Sequence, residues 1–230
     1  MKKETAEALL QLSRKEYDAY AAEFSSSRQF FWRELDFLKR YAQEGDCVLD
    51  IGCGNGRLLD LFGDTAIQYT GVDFSKELIT IAQKSNGERG TFLQANALSL
   101  PFAENFFDTV FSIAVLHHIP AKENREQFVS EIARVLKPGG VCVVTTWNVL
   151  QWRFAKAHAV HFLKKIFGRS PLDLGDIIIE FGKDKRKRYV HALTQKSFRQ
   201  LFKKHNLSIV SLKEVKRKSG FANLVVVAKK

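Results

Sequence analysis

Two hydrophobic periods divide this chain. Over residues 5–42 apolar side chains recur at helical spacing with no proline or glycine among them, which predicts helix, with a break at Phe24-Ser25-Ser26-Ser27-Arg28. Beyond Cys47 the pattern changes to short apolar runs alternating with stretches of helical period. These predict strands over 47–51, 68–73, 91–95, 107–113 and 141–146, with helices over 56–63, 76–86 and 122–136. Residues 148–190 read as an irregular, partly helical insertion, followed by a helix over 194–205 and strands over 207–215 and 221–228. Strand–helix alternation of this kind implies an α/β fold, a parallel sheet with helices on both faces. Right-handed crossovers then bring the carboxyl ends of the strands, and any ligand site, to one edge.

The chain of 230 residues is long enough for one domain with a sizeable core, and one domain over 1–230 is the expectation. No apolar run approaches the ~18–20 residues of a membrane span. Met1–Glu16 mixes charge with leucine and lacks the apolar centre of a signal peptide, so a cytoplasmic protein without membrane contact is expected. The three cysteines, Cys47, Cys53 and Cys142, are odd in number, form no Cys-x-x-Cys pair and fall in or beside strands. They read as small buried residues rather than as a disulfide or a metal site. Charge is distributed unevenly. Residues 1–150 hold 16 Lys+Arg and 20 Asp+Glu, whereas residues 151–230 hold 20 and 5, a net of +15. Such asymmetry is the electrostatic footprint of a polyanion partner.

The most informative motif is Val48-Leu49-Asp50-Ile51-Gly52-Cys53-Gly54-Asn55-Gly56-Arg57. It is a strand, a loop with glycines at alternate positions, and an apolar run that opens a helix. Glycine lets the backbone approach a ligand closely. A dinucleotide fingerprint has a third glycine where Arg57 stands, and Asp50 beside the loop repels a phosphate but suits an ammonium group. Asp73 ends the next strand, 23 residues after Asp50, where a carboxylate accepts from both hydroxyls of a ribose. Loop and acids together suit a nucleoside that carries an amino acid, S-adenosylmethionine.

From Asp46 to about Trp147 the sequence resembles the class I S-adenosylmethionine-dependent methyltransferases. Asp50, Gly52, Gly54 and Gly56 match the glycine motif and Asp73 the ribose acid, while Asn96-Ala97 stands where the family usually has Asp-Ala beside the adenine. Phe107–Ser112 matches the fourth strand, and Leu136-Lys137-Pro138-Gly139-Gly140 the turn before the fifth. The resemblance implies a Rossmann-like, seven-stranded sheet with an antiparallel last strand. It also implies that residues 1–42 form a helical lid over the cofactor and that 148–190 lie on the substrate side. The implied cofactor residues are Arg28, Asp50, Gly52, Cys53, Gly54, Asp73, Phe74, Asn96, Ala97 and Ala114, with Arg28 toward the methionine carboxylate.

A narrower resemblance runs through Tyr17–Arg28, Ser112-Ile113-Ala114-Val115-Leu116-His117-His118, Thr146-Trp147-Asn148 and Arg188-Tyr189-Val190-His191. These look like the tRNA wobble-uridine carboxymethyl methyltransferases, whose product is the methyl ester of 5-carboxymethyluridine. The resemblance implies that Arg188, Tyr189 and His191 position the uridine or its carboxylate and that His117 or His118 lines the same pocket. It further implies tRNA on the basic C-terminal third and a small activator protein as partner. The basic runs Lys183–His191 and Lys213, Lys216, Arg217, Lys218 are candidate phosphate contacts. Two other readings stay open at this stage. One is a small-molecule methyltransferase of the quinone or lipid-precursor type, in which His118 serves as base. The other is a non-catalytic, cofactor-binding RNA scaffold.

Overall fold

The computed structural model describes residues 1–28, 30–181, 186–217 and 220–230. The order of elements is α1 (Lys3–Ala19), α2 (Ala21–Ser26), a 3-10 helix (Arg33–Tyr41), β1 (Cys47–Ile51), a second 3-10 helix (Arg57–Phe62), β2 (Gln68–Asp73), α3 (Lys76–Asn86), β3 (Thr91–Gln94) and β4 (Phe107–Ile113). Then follow a short 3-10 turn (Leu116–His118), α4 (Lys122–Val135), β5 (Leu136–Trp147), another 3-10 turn (Trp152–Phe154), α5 (Ala155–Ile166), β6 (Asp176–Phe181), β7 (Arg186–His191), α6 (Gln195–Lys204), β8 (Ser208–Lys216) and β9 (Ala222–Lys229).

Seven strands form one sheet in the order β3-β2-β1-β4-β5-β9-β8. β1 pairs in parallel with both β2 and β4, and β9 lies antiparallel between β5 and β8. The antiparallel last strand is as expected. Side chains alternate across the sheet, so each strand feeds two apolar layers. Leu49, Val110 and Val144 pack under α4 and α6 with Phe128, Ile132, Phe198 and Phe202. Val48, Phe111 and Val143 pack on the other face with Leu35 and Leu38, Leu58 and Phe62, and Ile79 and Ala82 of α3. The β1–β4 pair is where the strand order reverses, and the loops after β1, β2, β4 and β5 open a crevice there.

The structure differs from the sequence reading in three places. The N-terminal segment is two α-helices and a 3-10 helix rather than one broken helix. The stretch after the glycine loop is a short 3-10 helix, because Gly52, Gly54 and Gly56 all hold positive φ and the chain turns helical only at Arg57. The expected irregular insertion contains α5 and a β6–β7 hairpin, outside the main sheet. Charged residues along β7 obscured its period of two. Of the basic runs, Lys183-Asp184-Lys185 and Lys218 lie outside the described residues.

Phe128 is fully buried between α4 and the sheet. Phe128→Ala is expected to cost about 3–5 kcal/mol, read as a lower urea midpoint at unchanged denaturant slope.

Candidate functional site

A cavity of about 630 Å³ opens along the carboxyl edge of the sheet. One end is built from the glycine loop and β2. Asp73, at the end of β2, accepts from the Gly54 amide (3.0 Å) through one oxygen and from the Ser75 amide (2.9 Å) through the other. Each carboxylate oxygen keeps acceptor capacity toward the cavity that Asp73 lines. Burial pushes the Asp73 carboxyl up to about 6, against the pull of those amides. Asp50 sits beneath the loop, off the cavity wall, where the Tyr69 hydroxyl donates to it at 2.7 Å. Burial pushes Asp50 up to about 7, and its second oxygen is buried without a partner among the described residues.

The glycines are spatial requirements. A Cβ on Gly52 (φ +77°) meets Val115 at 2.3 Å, and one on Gly54 (φ +58°) meets the Phe24 ring at 3.2 Å. Across the cavity Ala114 also holds a positive φ (61°), fixed because its amide donates to the Thr145 carbonyl and hydroxyl, each at 3.0 Å. A larger side chain there is unfavourable for the same steric reason. Phe74, Asn96, Ala97 and Ala114 complete this wall. Asn96 Oδ1 accepts from the Leu98 amide, holding the loop after β3. A close backbone approach and a buried carboxylate with acceptor capacity toward the cavity fit S-adenosylmethionine with its ribose toward Asp73.

The N-terminal helices cover this end. Asp18 of α1 accepts from the Ser75 hydroxyl at 2.6 Å, and Ser75 in turn caps α3 by accepting from the Leu78 amide. Tyr17 packs edge-on against Phe74 (5.8 Å) and against His118 (6.4 Å). Arg28 lies 4.1 Å over the Phe24 ring and lines the cavity.

The far end is aromatic and basic. Arg188 of β7 is buried, donates to the Tyr20 hydroxyl, and lies 5.0 Å over Tyr17 and 6.0 Å over Trp147. His118 stands beside it with Nδ1 3.0 Å from the Tyr189 carbonyl. Burial, then the charge of Arg188, hold the His118 imidazole down at about 3, so it is neutral at every physiological pH. Arg57 and Arg217 lie 4.4 and 3.6 Å over the Trp32 ring at the rim. Burial, then the charges of Arg28 and Arg217, bring Arg57 down to about 10, and burial brings Arg217 to the same value.

Not every residue singled out in the sequence reaches the cavity. His117 is fully buried against Trp147 (4.8 Å), and burial keeps it neutral. Tyr189 and His191 lie off the cavity wall, because strand alternation turns them away from the face that carries Arg188. Both meet Asp176 of β6, the Tyr189 hydroxyl at 2.7 Å and His191 Nδ1 at 2.6 Å. Burial raises the Asp176 carboxyl, but the bonds from His191 and Tyr189 outweigh it and hold it below the usual range. Cys53 packs behind the loop, close to Gly71. Sequence reasoning missed Asp176 and Trp32. Asp176 opens the β-branched Asp-Ile-Ile-Ile-Glu run, which was the available signal. Trp32 had only its place in the Phe30-Phe31-Trp32 cluster.

Comparisons with known proteins agree with this geometry. A family model described as a methyltransferase domain matches residues 49–144. A tRNA (carboxymethyluridine(34)-5-O)-methyltransferase of Arabidopsis thaliana is 38% identical over 59% of this chain and 32% of its own length. One from Xenopus tropicalis is 35% identical over 60% of this chain and 21% of its own. The chain thus spans about a third or less of the length of these relatives. A solved methyltransferase of Methanosarcina mazei superposes with TM-score 0.73 at 24% identity, over 87% of this chain and 98% of that one. A chain from a complex of the Haloferax volcanii Trm112 methyltransferase activator with a methyltransferase gives 0.65 at 20% identity, over 94% and 96%. Among the described residues no helix is long and apolar enough to cross a membrane.

Cofactor affinity is expected to fall as pH drops through about 6, where Asp73 takes a proton and loses acceptor capacity. Above that pH the carboxylate is charged and binding is full. Asp73→Asn should weaken binding about tenfold or more at pH 8 and flatten this step, measured by calorimetric titration with S-adenosylhomocysteine. The glycine loop that leaves no room for side chains and the buried Asp73 carboxylate both lie within residues 49–144, the stretch that matches the methyltransferase-domain family model.

Proposed function

We propose that the chain methylates tRNA, forming the methyl ester of 5-carboxymethyluridine at the wobble position. The observation that carries this is a guanidinium, Arg188, set in aromatic walls on the cavity that Asp73 and the glycine loop also line. The names of the curated relatives support the same substrate.

S-adenosylmethionine supplies an electrophilic methyl group on a sulfonium. A carboxylate acceptor is already an anion near neutral pH, so proton abstraction is not required of the protein. Its task is alignment. Arg188 is the residue to hold the substrate carboxylate, and Tyr17, Tyr20 and Trp147 hold Arg188. A neutral His118 adds no second positive charge, which preserves the nucleophilicity of the carboxylate. Gly52, Gly54, Asp73, Phe74, Asn96, Ala97 and Ala114 hold the cofactor in this proposal, with Arg28 toward its carboxylate and Asp50 behind the loop. Cys53 supports the loop, while Tyr189 and His191 act on the substrate end indirectly through Asp176. Helices α1 and α2 serve as the lid, and residues 148–190 as the substrate side. The single-stranded anticodon loop allows a base to be splayed into such a cavity.

The basic C-terminal third, Arg217 included, is the proposed phosphate-contacting surface. A small activator subunit is a proposed partner, by analogy with the complex of the Haloferax volcanii neighbour. A cytoplasmic location accompanies a tRNA substrate.

Radiolabelled methyl from S-adenosylmethionine should enter bulk cellular tRNA and be released by mild alkali, as an ester is. Label confined to a small-metabolite extract would move the assignment to a small-molecule enzyme. Affinity for tRNA should fall at least tenfold between 50 and 200 mM salt, as is typical when several phosphates are neutralised. Filter binding that is insensitive to salt would remove the basic third from recognition.

A further inference from the structure

A neutral imidazole has one N–H and one lone pair, and its partners decide which nitrogen carries which. In His118 the decision is made by the backbone. Nδ1 lies 3.0 Å from the carbonyl oxygen of Tyr189, an atom that only accepts. The proton is therefore on Nδ1, and Nε2 carries the lone pair. The ring lines the cavity, and Nε2 has no hydrogen-bond partner among the described residues. It stands nearly perpendicular to Trp147 (79°, 5.3 Å) and to Tyr17 (69°, 6.4 Å), so packing leaves it little freedom to turn over.

The carbonyl that fixes the tautomer is itself held in place. Tyr189 is tied through its hydroxyl to Asp176, which also takes the bond from His191, and Arg125 donates to the Ile119 carbonyl at 3.0 Å behind it. The hairpin β6–β7 thus presents one acceptor, the Tyr189 carbonyl, to one ring nitrogen. With Arg188 beside it and burial around it, the ring stays uncharged.

We propose that His118 Nε2 is a specificity-determining acceptor that reads the N3–H of a uracil ring held in the cavity. The inference rests on the proposed wobble-uridine substrate. Uracil offers a donor at N3. Cytosine offers a lone pair there, which would face the Nε2 lone pair without a proton between them. A site that must pair a buried acceptor discriminates strongly against a ligand that lacks the donor. His118 then selects the base, while Arg188 addresses the carboxylate on the 5-substituent.

The test uses the full chain and anticodon stem-loop RNAs that differ in one nucleotide: 5-carboxymethyluridine, its 3-deaza analogue with C–H in place of N3–H, and 5-carboxymethylcytidine. The wild-type enzyme should lose at least thirtyfold in kcat/KM on both analogues. His118→Ala should lose at least tenfold on the uridine RNA while its discrimination among the three shrinks to within about threefold. His118→Gln, which offers an amide oxygen near the Nε2 position, should recover part of the discrimination. Binding of S-adenosylhomocysteine to both variants within a few-fold of wild type establishes that they fold. Wild-type enzyme that methylates the 3-deaza RNA as well as the uridine RNA overturns the role of His118 and leaves the wobble-uridine proposal standing. Undiminished discrimination in His118→Ala does the same. No methylation of the uridine RNA, by enzyme that labels another substrate, overturns both.

Discussion

The cofactor end of this molecule depends on one buried carboxylate. Asp73 bridges the Gly54 and Ser75 amides, so it ties the glycine loop after β1 to the start of α3. A charge removed from water is costly unless hydrogen bonds replace the lost solvation. Here backbone amides supply part of that compensation, and the raised pKa shows that the balance is incomplete. A ligand with hydroxyls to donate completes it. The same corner anchors the N-terminal helices, because Ser75, held by Asp73, also donates to Asp18 of α1. Cofactor loop, sheet edge and covering helices therefore share one polar junction.

The aromatic and basic end is built on different physics. Arg188 is buried among aromatic faces and donates to the Tyr20 hydroxyl. Cation–π contact stabilises a guanidinium without neutralising it. Arg57 and Arg217 on Trp32 repeat the arrangement at the rim. A positive field with low-dielectric walls is suited to concentrate an anion. Burial first, and then this field, keep His118 neutral.

The β6–β7 hairpin builds the aromatic and basic end, and its organiser is Asp176. By accepting from both Tyr189 and His191 it fixes the strand that carries Arg188 on its opposite face. The two residues expected on the substrate meet Asp176 instead. Their contribution is to position β7, including the Tyr189 carbonyl that sets the tautomer of His118.

Much of the architecture was legible in the sequence. Strand runs of apolar residues, their alternation with helices, and the Asp50, glycine and Asp73 spacing depend on local period and on short-range backbone demands, so they survive as linear patterns. Charge asymmetry was legible for the same reason. What the sequence left unresolved are relations between distant segments. That Asp176 pairs with Tyr189 and His191, that Trp32 collects Arg57 and Arg217, and that His117 is buried while His118 reaches the cavity follow from pairing across more than one element. The hairpin escaped notice because lysines and arginines on β7 mask an alternation whose buried partners lie on another segment. By itself the sequence determined the sheet and the cofactor loop, because hydrophobic period and glycine geometry are local. Only the tertiary structure decided which polar side chains face the cavity, because that depends on strand faces and on partners that folding alone brings together.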